Sequence, residues 1–122
     1  MAEKLLIILV NTNPGNPSEL DAPLMQATAA AAMEYDVEII FSGRSAELAV
    51  KGVAEDITFD RYHAKTVYDA IKEAHEAGVK FKVCTPTSEQ WGDNLIPEIE
   101  EVVGGAYLIC EAMDDGTVTF TY

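Results

Sequence analysis

The last 40 residues of this chain, 83–122, contain no lysine or arginine, although they carry eight acids: Glu89, Asp93, Glu98, Glu100, Glu101, Glu111, Asp114 and Asp115. The full sequence of 122 residues has 21 acidic and 8 basic residues, a net charge of -13, so residues 1–82 contribute only -5. A surface so short of cations cannot neutralise phosphates, which excludes nucleic acid as a main partner. It repels anionic lipid headgroups for the same reason. A basic protein face stays open as a partner, and the acidity otherwise serves solubility.

Other things are scarce too. No apolar run approaches the roughly 20 residues of a membrane helix; the longest is Leu5–Val10, six residues. That run is also too short for a signal peptide and is preceded by Glu3, so a cytoplasmic protein that keeps Met1 is expected. There are two cysteines, Cys84 and Cys110, whose separation of 26 fits neither a CxxC redox pair nor a zinc ribbon. His63 and His75 form no HExxH or other metal spacing with them, so no metal is expected. The first loop holds one glycine, Gly15, and neither GxGxxG nor a Walker sequence, so no nucleotide cofactor is expected. No repeat, low-complexity tract or linker divides the chain, and a single domain spanning 1–122 is expected. With 48% hydrophobic residues spread along its length, the sequence is that of a globular protein and not a disordered one.

The apolar run 5–10 shows no alternation and reads as a central strand buried on both faces. The polar loop Asn11–Ser18 follows. A helix is expected from near Asp21, with Pro23 in its first turn, through the alanines to Met33. Val37–Phe41 reads as a second strand, and a short helix is expected over Arg44–Val50. Residues 53–63 read as irregular. Lys65–Ala77 is amphipathic, with Val67, Ile71 and Ala74 on one face and Gly78 as its stop. Val79–Cys84 alternates as a strand, and Thr85–Ser88 offers caps for a short helix around Ser88–Trp91. Ile99–Val103 could be a strand. Ala106–Met113 reads equally as a helix or as part of a hairpin, and Thr117–Tyr122 as the last strand. The alternation of strand and helix implies an α/β fold, a three-layer α/β/α sandwich around a mostly parallel five-stranded sheet.

In such sheets ligands bind at the C-terminal strand ends. Cys84 sits at one of them, before an expected helix. A thiolate facing a helix N-terminus is stabilised by unpaired backbone N–H groups. Thr85, Thr87 and Ser88 would add hydroxyl donors, and Lys82 shares the strand parity of Cys84. His63, beside Asp60 and Arg61, could supply a proton-transfer group from a covering segment. Asn11 opens the loop at another strand end and is a further possible neighbour. Cys110 reads as core filler, on a helix face shared with Ala106, Ile109 and Met113 that would point inward, so its thiol should react slowly.

The chain resembles the DsrE/DsrF-like family over nearly its whole length, and the resemblance rests on three stretches. One is Leu5–Val10, the polar loop, the helix ending Ala-Ala-Ala-Ala-Met, and Val37–Phe41. Another is Ala77-Gly78-Val79-Lys80-Phe81-Lys82-Val83-Cys84. The last is Asn94-Leu95-Ile96-Pro97 leading to Val102-Val103-Gly104-Gly105. The resemblance implies a strand at 99–103, a helix at 105–113 and a parallel last strand at 117–122. It implies sulfur trafficking, with Cys84 carrying sulfur as a persulfide, and homo-oligomers, trimers or hexamers. After Cys84 the sequence runs Thr-Pro-Thr-Ser, without the small or basic residues of some active members.

Two functions are therefore expected. In one, the protein is a sulfur carrier or sulfurtransferase that loads Cys84 from a donor persulfide and delivers to a partner thiol, with no cofactor. In the other, it is a non-catalytic α/β module that binds a small ligand or protein, with Cys84 merely structural.

Overall fold

The computed structural model describes residues 3–59, 62–84 and 94–122, the side chains of 62–64 excepted. Its main sheet has five strands in the order β6-β5-β2-β1-β7: β1 Lys4–Leu9, β2 Asp36–Phe41, β5 Lys80–Cys84, β6 Ile99–Val103 and β7 Thr117–Thr121. All four neighbouring pairs are parallel. Helices α1, Ser18–Ala32, and α2, Val67–Ala77, pack together on one face, and α3, Gly105–Ala112, lies on the other. Residues 105–112 are thus helical, and β7 joins the sheet beside β1 as a parallel strand.

The boundaries differ from the sequence reading where side chains wind the backbone early. Helix α1 begins at Ser18, not near Asp21. The Glu19 carboxylate accepts from the Asn13 amide at 3.0 Å and from Asn16 Nδ2 at 3.1 Å, which folds the polar loop into the helix start. Pro23 therefore falls in the second turn and cannot donate to the Glu19 carbonyl. The helix expected over 44–50 is a 3-10 helix, Gly43–Ala49. Gly43 has φ +53, and a Cβ there would sit 2.7 Å from the Val10 carbonyl oxygen, so only glycine fits this close crossing over the end of β1. The segment read as irregular holds a small antiparallel pair, β3 Thr58–Phe59 with β4 Tyr62–Thr66.

Helix α2 starts at Val67 because Thr66 caps it. The Thr66 hydroxyl accepts from the Asp69 amide at 3.0 Å, and the Asp69 carboxylate accepts from the Thr66 amide at 3.0 Å. This reciprocal box satisfies two donors that a helix start leaves open. Gly78, at φ +114, ends the helix in the left-handed region. Thr66→Ala is expected to cost about 1 kcal/mol of stability, read as a lower urea midpoint with an unchanged slope.

The larger core lies under α1 and α2. Ile7 and Leu9 of β1, Ile39 and Phe41 of β2, and Phe81 and Val83 of β5 meet Leu20, Leu24 and Ala27 of α1 and Val67, Ile71 and Ala74 of α2. The other face is different: Leu6, Ile40 and Val103 form a small apolar cluster against Tyr107, Leu108 and Ala112. Beside that cluster the same face buries charge.

Candidate functional site

Cys84 ends β5 and is the register partner of Val103 on β6. Because the strands are parallel, both reach the same edge of the sheet. Val103 runs through Gly104 directly into α3. The N-terminus of α3 therefore begins at the same edge of the sheet, two residues beyond the register partner of Cys84. Gly104 gives this helix no side-chain cap, and a Cβ at Gly105 would meet nothing within 4 Å. The first N–H groups of a helix have no intrahelical acceptor, and here no cap side chain competes for them. Such an end favours an anion, a thiolate among them. Cys84 itself is partly exposed.

Alternation puts Lys80, Lys82 and Cys84 on the α3 face of β5. The Lys82 ammonium donates to the Tyr107 hydroxyl at 2.6 Å and lies 3.2 Å from Glu38 Oε1 and 3.4 Å from Glu101 Oε1. Tyr107 in turn donates to Glu38 Oε1 at 2.6 Å. Lys4 donates to Glu38 Oε2 at 2.9 Å and lies 3.1 Å from Glu111 Oε2. Glu38 is 2% exposed. Burial alone would raise its carboxyl, but the Tyr107, Lys4 and Lys82 contacts outweigh it and hold the group below its ordinary range. Burial alone would lower Lys82, yet bonding to Tyr107 and Glu38 raises it above the ordinary lysine value. Burial, then the Glu38 contact, pushes Tyr107 up to about 12. The charge of Lys82 is thus answered by carboxylates, two residues below Cys84 on the same strand.

Of the other residues expected at the site, Thr85, Thr87 and Ser88 lie outside the described residues, as does the expected helix around Ser88–Trp91. Among the described residues, the helix that starts at the end of the strand next to Cys84 is α3. His63 falls in β4, and its side chain lies outside the described residues. Asn11 is elsewhere: it follows β1, and with β2 intervening in the sheet order that strand is two spacings from β5, about 10 Å. It lines an open cleft of about 450 Å³ with Thr12, Ser18, Glu19, Ala22 and Tyr122. That cleft sits where the chain order reverses around β1, since β7 was added on the side away from β2. Among the described residues, no group of three or more His, Cys, Asp or Glu side chains is placed to hold a metal ion. No described helix is long and apolar enough to cross a membrane.

The expectation for Cys110 is overturned. Cys110 is exposed, and its neighbours on the same stripe, Ile109 and Met113, are 64% and 76% exposed. Two stripes of α3 were available to face the sheet. The buried cations and carboxylate of β1, β2 and β5 need polar partners, and an unmatched buried charge is costly. Tyr107 and Glu111, four residues apart on one face, supply them, so that face turns inward and the stripe of Ala106, Ile109, Cys110 and Met113 turns out. The sequence reading missed Glu38, Tyr107 and Lys4. The available signal was a lone glutamate inside the otherwise apolar run Val37–Phe41, with lysines two residues off register on both neighbouring strands.

The DsrE/DsrF-like family matches residues 4–120, and the chain belongs to that family. No curated protein matches its sequence. Among solved structures, the chain is similar to the ychN protein from E. coli, with a TM-score of 0.69 at 18% identity, covering 98% of this chain and 100% of that one. It is similar to BT1422, a conserved protein of unknown function from Bacteroides thetaiotaomicron, with a TM-score of 0.67 at 20% identity, covering 98% and 95%. It is also similar to MTH1491, a protein of unknown function from Methanobacterium thermoautotrophicum, with a TM-score of 0.67 at 14% identity, covering 98% of each chain. At these identities the likeness is one of fold.

Proposed function

We propose, from membership in the DsrE/DsrF-like family and the placement of Cys84, that this protein is a cytoplasmic sulfur carrier working as one domain. The observation that carries the reading is the partly exposed Cys84 at the sheet edge where α3 begins uncapped. The Cys84 thiolate attacks the outer sulfur of a donor persulfide. The donor S–S bond breaks, the donor leaves as a thiolate with the bonding pair, and Cys84 holds Sγ–SH. A partner thiolate then attacks that outer sulfur, the Sγ–S bond breaks, and the Cys84 thiolate is regenerated. Each step exchanges one S–S bond for another, so no oxidant, metal or organic cofactor is consumed. The donor and acceptor proteins meet an acidic surface and should present basic faces. The carrier itself works as a homo-oligomer, a trimer or hexamer.

The test is mass spectrometry after incubation with a persulfide donor. A gain of about 32 Da, one sulfur, is expected on Cys84. It should be absent from Cys84→Ser and intact in Cys110→Ala. Loading of Cys110 instead, or loading that survives Cys84→Ser, overturns the reading. The alternative, a binding module with a structural Cys84, draws on the cleft of Asn11, Thr12 and Tyr122 at the β1–β7 reversal, where α/β sheets hold ligands. It would stand if Cys84 stayed unloaded and a small ligand protected that cleft.

A further inference from the structure

The stripe of Ala106, Ile109, Cys110 and Met113 leaves α3 with an apolar outer side, and α3 has no fully buried residue. Its charges are also set against its own dipole. The helix start has no cap and no acid in its first turn, and the last turn has no base. Beyond the last turn come Asp114 and Asp115, both exposed. A helix carries partial positive charge at its start and partial negative charge at its end, so in the lone chain the start meets no acid, while the end has Lys4 beside Glu111 but two exposed acids beyond it.

We propose that α3 is a two-fold contact between copies of this chain, the two helices packing antiparallel through this stripe. This rests on the self-association read above and names its surface. The pairing answers the uncapped start of each helix and the acids beyond the end of the other. Asp114 and Asp115 of each copy come to the uncapped Gly104–Gly105 start of the other, where carboxylates are favoured. The apolar residues are symmetric about a point between Ile109 and Cys110. A two-fold axis there sets Ala106 against the partner's Met113, small against large, and Ile109 against the partner's Cys110. The two Cys110 thiols then flank the axis. The partner's carboxylates approach the helix start from the outer side, whereas Cys84 approaches it from the sheet.

A basic foreign protein is the other conceivable occupant, but it would answer only the acidic end of the helix. Lys65 pairs with Glu73, Lys80 with Asp36, and Lys4 and Lys82 with Glu38, so these four could not serve that end in a different arrangement without breaking pairs they already make. A helix of eight residues covers less than the about 800 Å² per partner of a standard interface, so the contact is concentration-dependent unless an assembly repeats it. Two copies at -13 each repel, so association should tighten as salt is added. A basic partner would be lost under the same change.

Sedimentation equilibrium up to millimolar protein, at low and high salt, tests this on the full chain. An even-numbered mass that Ile109→Glu halves, with an unchanged circular dichroism spectrum, is expected. Independently, a short bismaleimide should link Cys110 to Cys110 in Cys84→Ser protein, and denaturant should abolish the linking. An assembly that Ile109→Glu leaves intact, with Cys110 unlinked, would place the contact elsewhere and overturn the inference while sparing the self-association reading. A wild-type monomer at all concentrations would overturn both.

Discussion

Replacing Glu38 by alanine is expected to destabilise the protein by about 3–5 kcal/mol, because it removes one partner from a buried ion network. The carboxylate is the hub. It accepts from Lys4 and Tyr107 and faces Lys82 at 3.2 Å, and it is 2% exposed. Without it, among the described residues, Lys4 keeps Glu111 and Lys82 keeps Tyr107 and Glu101, both ammonium groups still being sheltered by α3. Glu38→Gln should cost less, since the amide keeps the volume and one acceptor. The double change Glu38→Ala with Lys82→Met should cost less than the sum of the singles, because the second removes a charge that the first stranded. Acid should act in the same direction. The Glu38 carboxyl lies below its ordinary value of 4.5 in the folded state, so its contribution is present above that value and is lost as pH falls through the lower folded one. Urea titrations of wild type and variants between neutral and acidic pH measure both effects. A wild-type midpoint that does not move with acid, or a Glu38→Ala loss below about 1 kcal/mol, would mean the network is not a stability determinant.

The same network explains what the sequence withheld. Strand positions were legible because Leu5–Val10 is an apolar run without alternation and Val37–Phe41 is apolar but for Glu38, the mark of strands covered on both faces. Helix α2 was legible because Val67, Ile71 and Ala74 keep one period. The orientation of α3 was not. Counting apolar residues favours the stripe of Ile109, Cys110 and Met113, and a local pattern cannot know that the sheet beneath holds Lys4, Glu38 and Lys82. These residues come from three strands and meet only through the parallel registers of β1, β2 and β5. Whether 106–113 was helix or strand was undecided from its own residues as well, since alanine and leucine favour one and isoleucine and tyrosine the other. At the site, Cys84 at a strand end was readable from one segment. The helix start beside it was not, because it belongs to α3, 21 residues later, and arrives by the pairing of Cys84 with Val103.

Phe81→Ala is expected to cost about 3–5 kcal/mol, the range for deleting a buried ring and leaving its cavity. Phe81 is fully buried, on the face of β5 opposite Cys84. Its ring stacks on that of Phe41 with centroids 5.7 Å apart and an interplanar angle of 13°. Ile39 is its register partner on β2. Its strand neighbours are held by backbone pairing in a parallel sheet and the helices above are close-packed on it, so the surroundings collapse little into the space and the cost belongs near the upper end of the range. The urea midpoint should fall with the slope unchanged. Cys84→Ser makes the matching control. It changes one atom at a partly exposed strand end and should move stability by less than about 1 kcal/mol while removing sulfur loading entirely. Phe81→Ala should do the reverse: it weakens the fold but leaves the thiol and the start of α3 in place, so folded protein still loads. If folded Phe81→Ala protein failed to load, the chemistry of Cys84 would depend on packing from the far face of the sheet, and its neighbours on the α3 side would not suffice to explain it.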